Sequence, residues 1–159
     1  MVEAATSANV SSVAVGRNSP SEGGWELFPH DADIGIRGFG PTMEAAFEQG
    51  ARALSAAITD PRRIAPRQVV EISCEGRDRE FLFVEWLNCL VYEMATRHML
   101  FSQFAVHVQD GHLRGRAWGE PVDVSRHAPA AEVKGATFTA LEVRPRTGGG
   151  WLAQCVIDV

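Results

Sequence analysis

The sequence predicts an α+β domain: a compact two-layer fold in which a mixed or antiparallel sheet packs on two main helices. Three observations carry that expectation. Two segments, over about 42–58 and 79–96, space their apolar residues at helical period. Extended segments lie in separated runs around them instead of alternating with them one for one. No internal repeat or second domain divides the 159 residues, so one core serves the chain.

Residues 1–22, rich in Ser, Ala, Val, Asn and Gly without period, read as a disordered tail, and the domain spans 23–159. Residues 25–39 read as one extended run. Ala32, Ile34 and Ile36 share one face and Asp33, Gly35 and Arg37 the other. Gly38-Phe39-Gly40-Pro41 punctuates it. Thr42 then caps the first helix, and Glu44 lies in the first turn, where the helix dipole favours an acid. Met43, Phe47, Gly50, Leu54 and Ile58 form its apolar stripe, and Thr59-Asp60-Pro61 ends it. Residues 69–74 read as a strand, and Asp78 caps the second helix. Phe83, Leu87, Leu90, Val91 and Met94 mark one stripe of that helix, and Leu82, Trp86 and Cys89 mark another. Such width predicts burial on more than one side. Residues 104–108 and 113–118 flank Asp110-Gly111, a strong hairpin signal. Residues 132–143 read as a long strand. Gly148-Gly149-Gly150 then turns the chain into a last strand over 151–159.

The net charge is −5, from 15 basic and 20 acidic residues. Gripping a nucleic-acid backbone rests on clustered Lys and Arg, so this chain is not expected to hold RNA unaided. No apolar window reaches the ~18 residues a membrane helix needs. Cys74, Cys89 and Cys155 are odd in number and lack Cys-x-x-Cys spacing. They predict free thiols in a reducing cytoplasm, with neither a disulfide framework nor zinc.

Three places could carry chemistry. His30-Asp31-Ala32-Asp33 sets an imidazole and two carboxylates at a strand start. Alternation puts Asp31 and Asp33 on one face, where they repel unless a cation lies between; a hard, oxygen-liganded cation is the natural partner. The bland alternative is that Asp is common at strand boundaries. The second place is Val156-Ile157-Asp158-Val159, an acid inside an apolar last strand. If that end meets Asp33, several oxygens converge; otherwise Asp158 simply faces solvent. The third is Arg126-His127 with Glu132-Val133-Lys134. Lys134 is the only lysine. It either pairs with Glu132 or presents a cation to a phosphate or an acidic partner group. No Gly-x-Ser-x-Gly elbow, Walker loop or His-x-x-x-His spacing is present, which leaves little for an independent enzyme.

A set of segments, taken in order, resembles the archease family. They are His30-Asp31-Ala32-Asp33-Ile34-Gly35-Ile36, Thr42-Met43-Glu44-Ala45-Ala46-Phe47-Glu48, Ile58-Thr59-Asp60, Phe81-Leu82-Phe83-Val84-Glu85-Trp86-Leu87, Trp118-Gly119-Glu120-Pro121, Arg126-His127, Glu132-Val133-Lys134 and Ile157-Asp158-Val159. The resemblance implies an accessory protein, not a stand-alone enzyme. Its expected partner is the GTP-dependent RNA ligase that seals 2′,3′-cyclic-phosphate ends in tRNA splicing and RNA repair. It would promote ligase guanylylation and multiple turnover, and meet RNA only through the ligase. The resemblance places a metal, calcium or another hard cation such as magnesium, on Asp33, Asp158 and the backbone carbonyl of Val159. It matches Lys134 to a functional lysine, and Asp31, which adds charge beside the metal, and His30 are expected with it as partner-facing or functional residues. Two departures stand out. Asp31 replaces a usual Thr. Residues 135–139 read Gly-Ala-Thr-Phe-Thr, without the Tyr hydroxyl and imidazole common there. The competing readings are a metal-dependent phosphoester hydrolase using Asp31, Asp33 and Asp158 with His30 as base, and a chaperone-like binding module.

Overall fold

A computed structural model describes residues 15–17 and 23–159. In chain order these form β1 (Val15–Arg17), β2 (Gly24–His30), β3 (Asp33–Gly40), α1 (Met43–Ile58), a 3₁₀ turn (Pro61–Arg63), β4 (Gln68–Glu75) and α2 (Arg79–Arg97). Then follow β5 (Met99–Gln109), β6 (His112–Pro121), α3 (Val124–His127), β7 (Gly135–Ala136), β8 (Glu142–Pro145) and β9 (Trp151–Asp158). Residues 15–17, expected in a tail, pair with β2; the rest of 1–22 lies outside the described residues.

The class is α+β, and every pairing is antiparallel. The strands divide into two sheets where one was expected. The larger runs β1-β2-β3-β9-β7, with β8 also on β9, and the smaller runs β4-β6-β5. Both helices touch strands of both sheets, so the sheets flank a helix pair. The two stripes of α2 are the physical reason: each needs its own cover. Leu82, Phe83, Trp86, Leu87 and Leu90 are all buried.

Close approach sets this packing. A Cβ on Gly38 of β3 would lie 2.3 Å from Ala46 O and from Gly50 N of α1, so the helix backbone rests directly on the strand. A Cβ on Gly115 of β6 would lie 2.4 Å from the Trp86 ring of α2. The Trp86 indole N–H donates to Phe47 O at 3.0 Å, tying α2 to α1. Thr42 accepts the Ala45 N–H at 3.0 Å and Asp78 the Phe81 N–H at 2.8 Å, the helix caps the sequence indicates. Helix α1 also blunts the edge of β5: Glu48 accepts the Val106 N–H at 2.9 Å, and Ser55 donates to Phe101 O at 2.6 Å.

Two extended runs break up. The run over 25–39 is a hairpin, with His30 paired to Asp33 around Asp31-Ala32. The run over 132–143 keeps only β7 and the start of β8. Between them Ala140 adopts a left-handed backbone (φ 54°), and Phe138 turns outward to stack on Phe81 at 6.0 Å. Among the described residues no helix is long and apolar enough to cross a membrane.

A buried carboxylate fastens the chain after β6. Glu120 accepts the Ala65 N–H at 2.9 Å, an Arg126 N–H at 2.8 Å and the His127 Nε2–H at 2.9 Å. The Asp123 N–H occupies His127 Nδ1 at 2.9 Å, which puts the ring proton on Nε2. Thr59 donates its hydroxyl to His127 O. Three of the quoted motifs thus meet in one lock. Arg126 and the other donors hold the Glu120 carboxyl down at about 2, against an ordinary value of 4.5.

Two outcomes follow. Gly38→Ala forces backbone from backbone and is expected to cost about 3 kcal/mol, read as a lower denaturant midpoint. Glu120→Gln strips the charge from its three donors and is expected to cost about 2 kcal/mol at neutral pH. Because the folded value is depressed, the wild-type advantage is fully present above pH 4.5 and shrinks as pH falls toward 2. Parallel unfolding curves across that range measure it; a difference that does not change with pH would contradict the charged lock.

Candidate functional site

Each acidic end of the sequence reaches the same place by strand pairing. Strand β3 pairs antiparallel with β9, Ile34 opposite Ile157. One step further along this register sets Asp33 across from Asp158. On its other side Asp33 pairs with His30, and on its other side Asp158 pairs with Gly135. His30, Asp33 and Asp158 therefore form one cross-strand row on the outer face at the sheet's end. The apolar partners Ile36, Cys155 and Ile157 point the other way and are fully buried. The acids face outward because they stand at the ends of their strands: Gln154 and Val156, on the same face of β9 as Asp158, are buried.

Backbone bonds fix the row. The Val159 N–H donates to Asp33 Oδ1 at 3.3 Å, and the Lys134 N–H donates to Asp158 O at 2.8 Å. Strand β7 is pinned from behind, where Asn88 of α2 accepts the Ala136 N–H at 2.8 Å. Thr137 donates both its N–H (3.0 Å) and its hydroxyl (2.8 Å) to Val156 O. The structure thus brings Asp33, Asp158, Val159, Lys134 and His30 together.

Asp31 departs from expectation. It sits in the hairpin turn with φ 51°, and its side chain is 94% exposed, so it does not share a strand face with Asp33. A two-residue hairpin needs a left-handed residue, and Asp tolerates that region. Its nearest tie is to His30 Nδ1 at 3.8 Å. The Glu132–Lys134 ion pair is not formed: among the described residues Lys134 meets no carboxylate and is exposed. Arg126 and His127 belong to the Glu120 lock instead of this tip. Asn88 gave no sequence signal beyond being polar beside the apolar stripe of α2.

By register Asp33 and Asp158 face each other, and among the described residues no basic side chain pairs with either. Like charges directly opposite on a sheet oppose pairing, and a cation would offset this. Two carboxylates and the Val159 carbonyl are hard oxygen donors, which fit calcium or magnesium and not zinc. Among the described residues no three His, Cys, Asp or Glu side chains converge as ligands.

Residues 25–159 match the model of the Archease protein family. Protein archease of Pyrococcus furiosus is 40% identical over 139 residues, covering 85% of this chain and 98% of the relative. Protein archease of Methanopyrus kandleri is 37% identical, covering 85% and 99%. The solution structure of Methanobacterium thermoautotrophicum protein 1598 superposes with a TM-score of 0.74 at 29% identity, covering 85% of this chain and 98% of that one. The chain, from the strand that carries Trp25 to the acidic end of β9, belongs to the archease family.

Proposed function

We propose that this chain is a metal-binding accessory protein that activates a GTP-dependent RNA ligase in the cytoplasm. It would promote ligase guanylylation and repeated turnover in tRNA splicing and RNA repair. The observation that carries the reading is the facing pair Asp33 and Asp158 at an open sheet end, with Lys134 fastened beside Asp158. Asp33, Asp158 and the Val159 carbonyl would hold the cation, Ca²⁺ or another hard divalent ion such as Mg²⁺. When bound, that ion supplies a positive centre for phosphate oxygens. The chain's own work is positional. The Val159 N–H orients Asp33, and β7 keeps Lys134, a compact exposed cation, within reach of a partner's acidic or phosphate group.

The incomplete donor set suits a tip that presents its ion to another protein. A net charge of −5 suits a protein that acts on an enzyme and meets RNA only through it. The hydrolase reading must do without Asp31 on the cation's face and rests on His30 as base.

The test uses the RNA ligase of the same organism, alone, with this chain, and with Asp33→Asn. Wild type is expected to raise guanylylation and permit multiple turnover. Asp33→Asn is expected to weaken calcium binding by about 10–100-fold and to lose the stimulation. In chelator the variant should melt no lower than wild type, because it removes a like-charge repulsion; calcium should raise the wild-type melting point only. Equal stimulation and equal calcium binding by the variant would end the proposal. Chelator-sensitive phosphoester hydrolysis by the isolated chain would favour the hydrolase.

A further inference from the structure

We propose that the outer face of the β4-β6-β5 sheet is a docking surface for single-stranded RNA. The helices pack on the other face of this sheet. Along β6, Leu113, Gly115 and Ala117 are buried on that inner side, so His112, Arg114, Arg116 and Trp118 point out. Strand pairing sets each of these four in a cross-strand row: Glu75-His112-Gln109, Ser73-Arg114-His107, Glu71-Arg116-Ala105 and Val69-Trp118-Gln103. Every member is exposed except Ala105 and Trp118, which are half-buried.

The centre of this face carries cations without counter-charges. Arg114 and His107 stand opposite each other, and among the described residues neither makes a hydrogen bond or an ion pair. Beside them Arg116 meets Glu71 at 3.4 Å, and His112 meets Glu75 at 3.7 Å. Both pairs are exposed on each side, so they are weak and another anion can displace them. A guanidinium fork next to an imidazole, with no acceptor of their own, suits a phosphate.

Trp118 favours RNA over an acidic peptide, which would use the cations and leave the indole idle. An indole on an outward strand face offers a stacking surface to an unpaired base. Ala105 is too short to fill the space between Trp118 and His107. The hollow there, of about 330 Å³, is lined also by Arg114, Arg116 and Glu71. A second hollow, of about 420 Å³, runs from Arg114 and His107 to His112 and Asp110. Together they form an open trough along β6, with a ring at one end and unpaired cations in its middle. A single strand fits it with a base on Trp118 and phosphates on Arg116 and Arg114. A duplex does not, because its bases are stacked inside. The net charge of −5 keeps this contact weak. It extends the reading above: a strand held by the ligase would reach this face at high effective concentration. The binding itself requires neither the ligase nor Asp33 and Asp158.

Fluorescence anisotropy of a labelled oligoadenylate of about ten nucleotides, titrated with the whole chain at low salt, tests this. Saturable binding is expected, with a slope of log K against log salt of about −1.4 for two phosphates. Arg114→Gln should weaken binding about tenfold and halve that slope. Trp118→Leu should also weaken it about tenfold, while Trp118→Phe, which keeps a ring, should stay close to wild type. Melting curves check that each variant is folded; if Trp118→Leu is not, Arg114→Gln carries the test. Arg144→Ala, an exposed arginine of the larger sheet, should bind as wild type. So should Asp33→Asn, which separates this face from the tip: its loss of ligase stimulation and a loss of RNA binding are independent results. No saturable binding, equal affinity for an RNA duplex of the same length, displacement by an equal concentration of a polyglutamate peptide, or equal weakening by Arg144→Ala would each overturn the assignment.

Discussion

Strand β9 comes last in the sequence and lies inside the larger sheet. It pairs with β3 along one edge and with β7 and β8 along the other. From Leu152 to Ile157 every residue is buried. Its inner face, Ala153, Cys155 and Ile157, belongs to the main core, and its end supplies both Asp158 and the Val159 N–H that reaches Asp33 across 126 residues of sequence. The larger sheet and the acidic tip therefore depend on one non-local pairing. Nothing local compensates for its loss: β7 is two residues long and β8 four, too short to stand without β9.

The elements with a strong period were legible from the chain alone. Both helices and their caps at Thr42 and Asp78 fall where spacing puts them, because helical period and capping are local properties. The hairpin at Asp110-Gly111 is local too, and both residues take positive φ as that turn requires. What the sequence hid was partnership. The apolar width of α2 announced burial on more than one side but not that the cover would be two sheets. The His30–Asp33 hairpin was hidden because Asp31-Ala32 is an uncommon turn pair and the residues around it keep strand alternation. The run over 132–143 looked like a strand because its composition suits one, yet β9 offers its edge only to Gly135–Ala136 and Glu142–Pro145.

The same distinction applies to the site. Asp33 and Asp158 were legible as oddities, acids inside strands, and their meeting follows only from register. Asp31 looked equivalent to Asp33 from spacing, but alternation applies only within a strand, and the turn takes Asp31 out of it. Arg126, His127 and Glu120 looked functional by residue type. Their burial and mutual bonds make them a lock that ties the chain after β6 back to Thr59 and Ala65. An acid with three donors is a different object from two acids that no described basic side chain pairs with, although each is a carboxylate near a motif.

That contrast bears on how the tip would work. Glu120 has its charge neutralised within the fold and gains nothing from a further cation. Asp33 receives one weak backbone bond at 3.3 Å, and Asp158 is exposed. Among the described residues no basic side chain balances their charge. A hard divalent ion needs six or more oxygens, and the tip offers about half that number. On the proposed reading the remaining positions would go to water or to another molecule's oxygens. A site that completed its own sphere would store a metal; on the proposed reading, positions left open on an exposed sheet end beside Lys134 would let the tip share its ion with a partner.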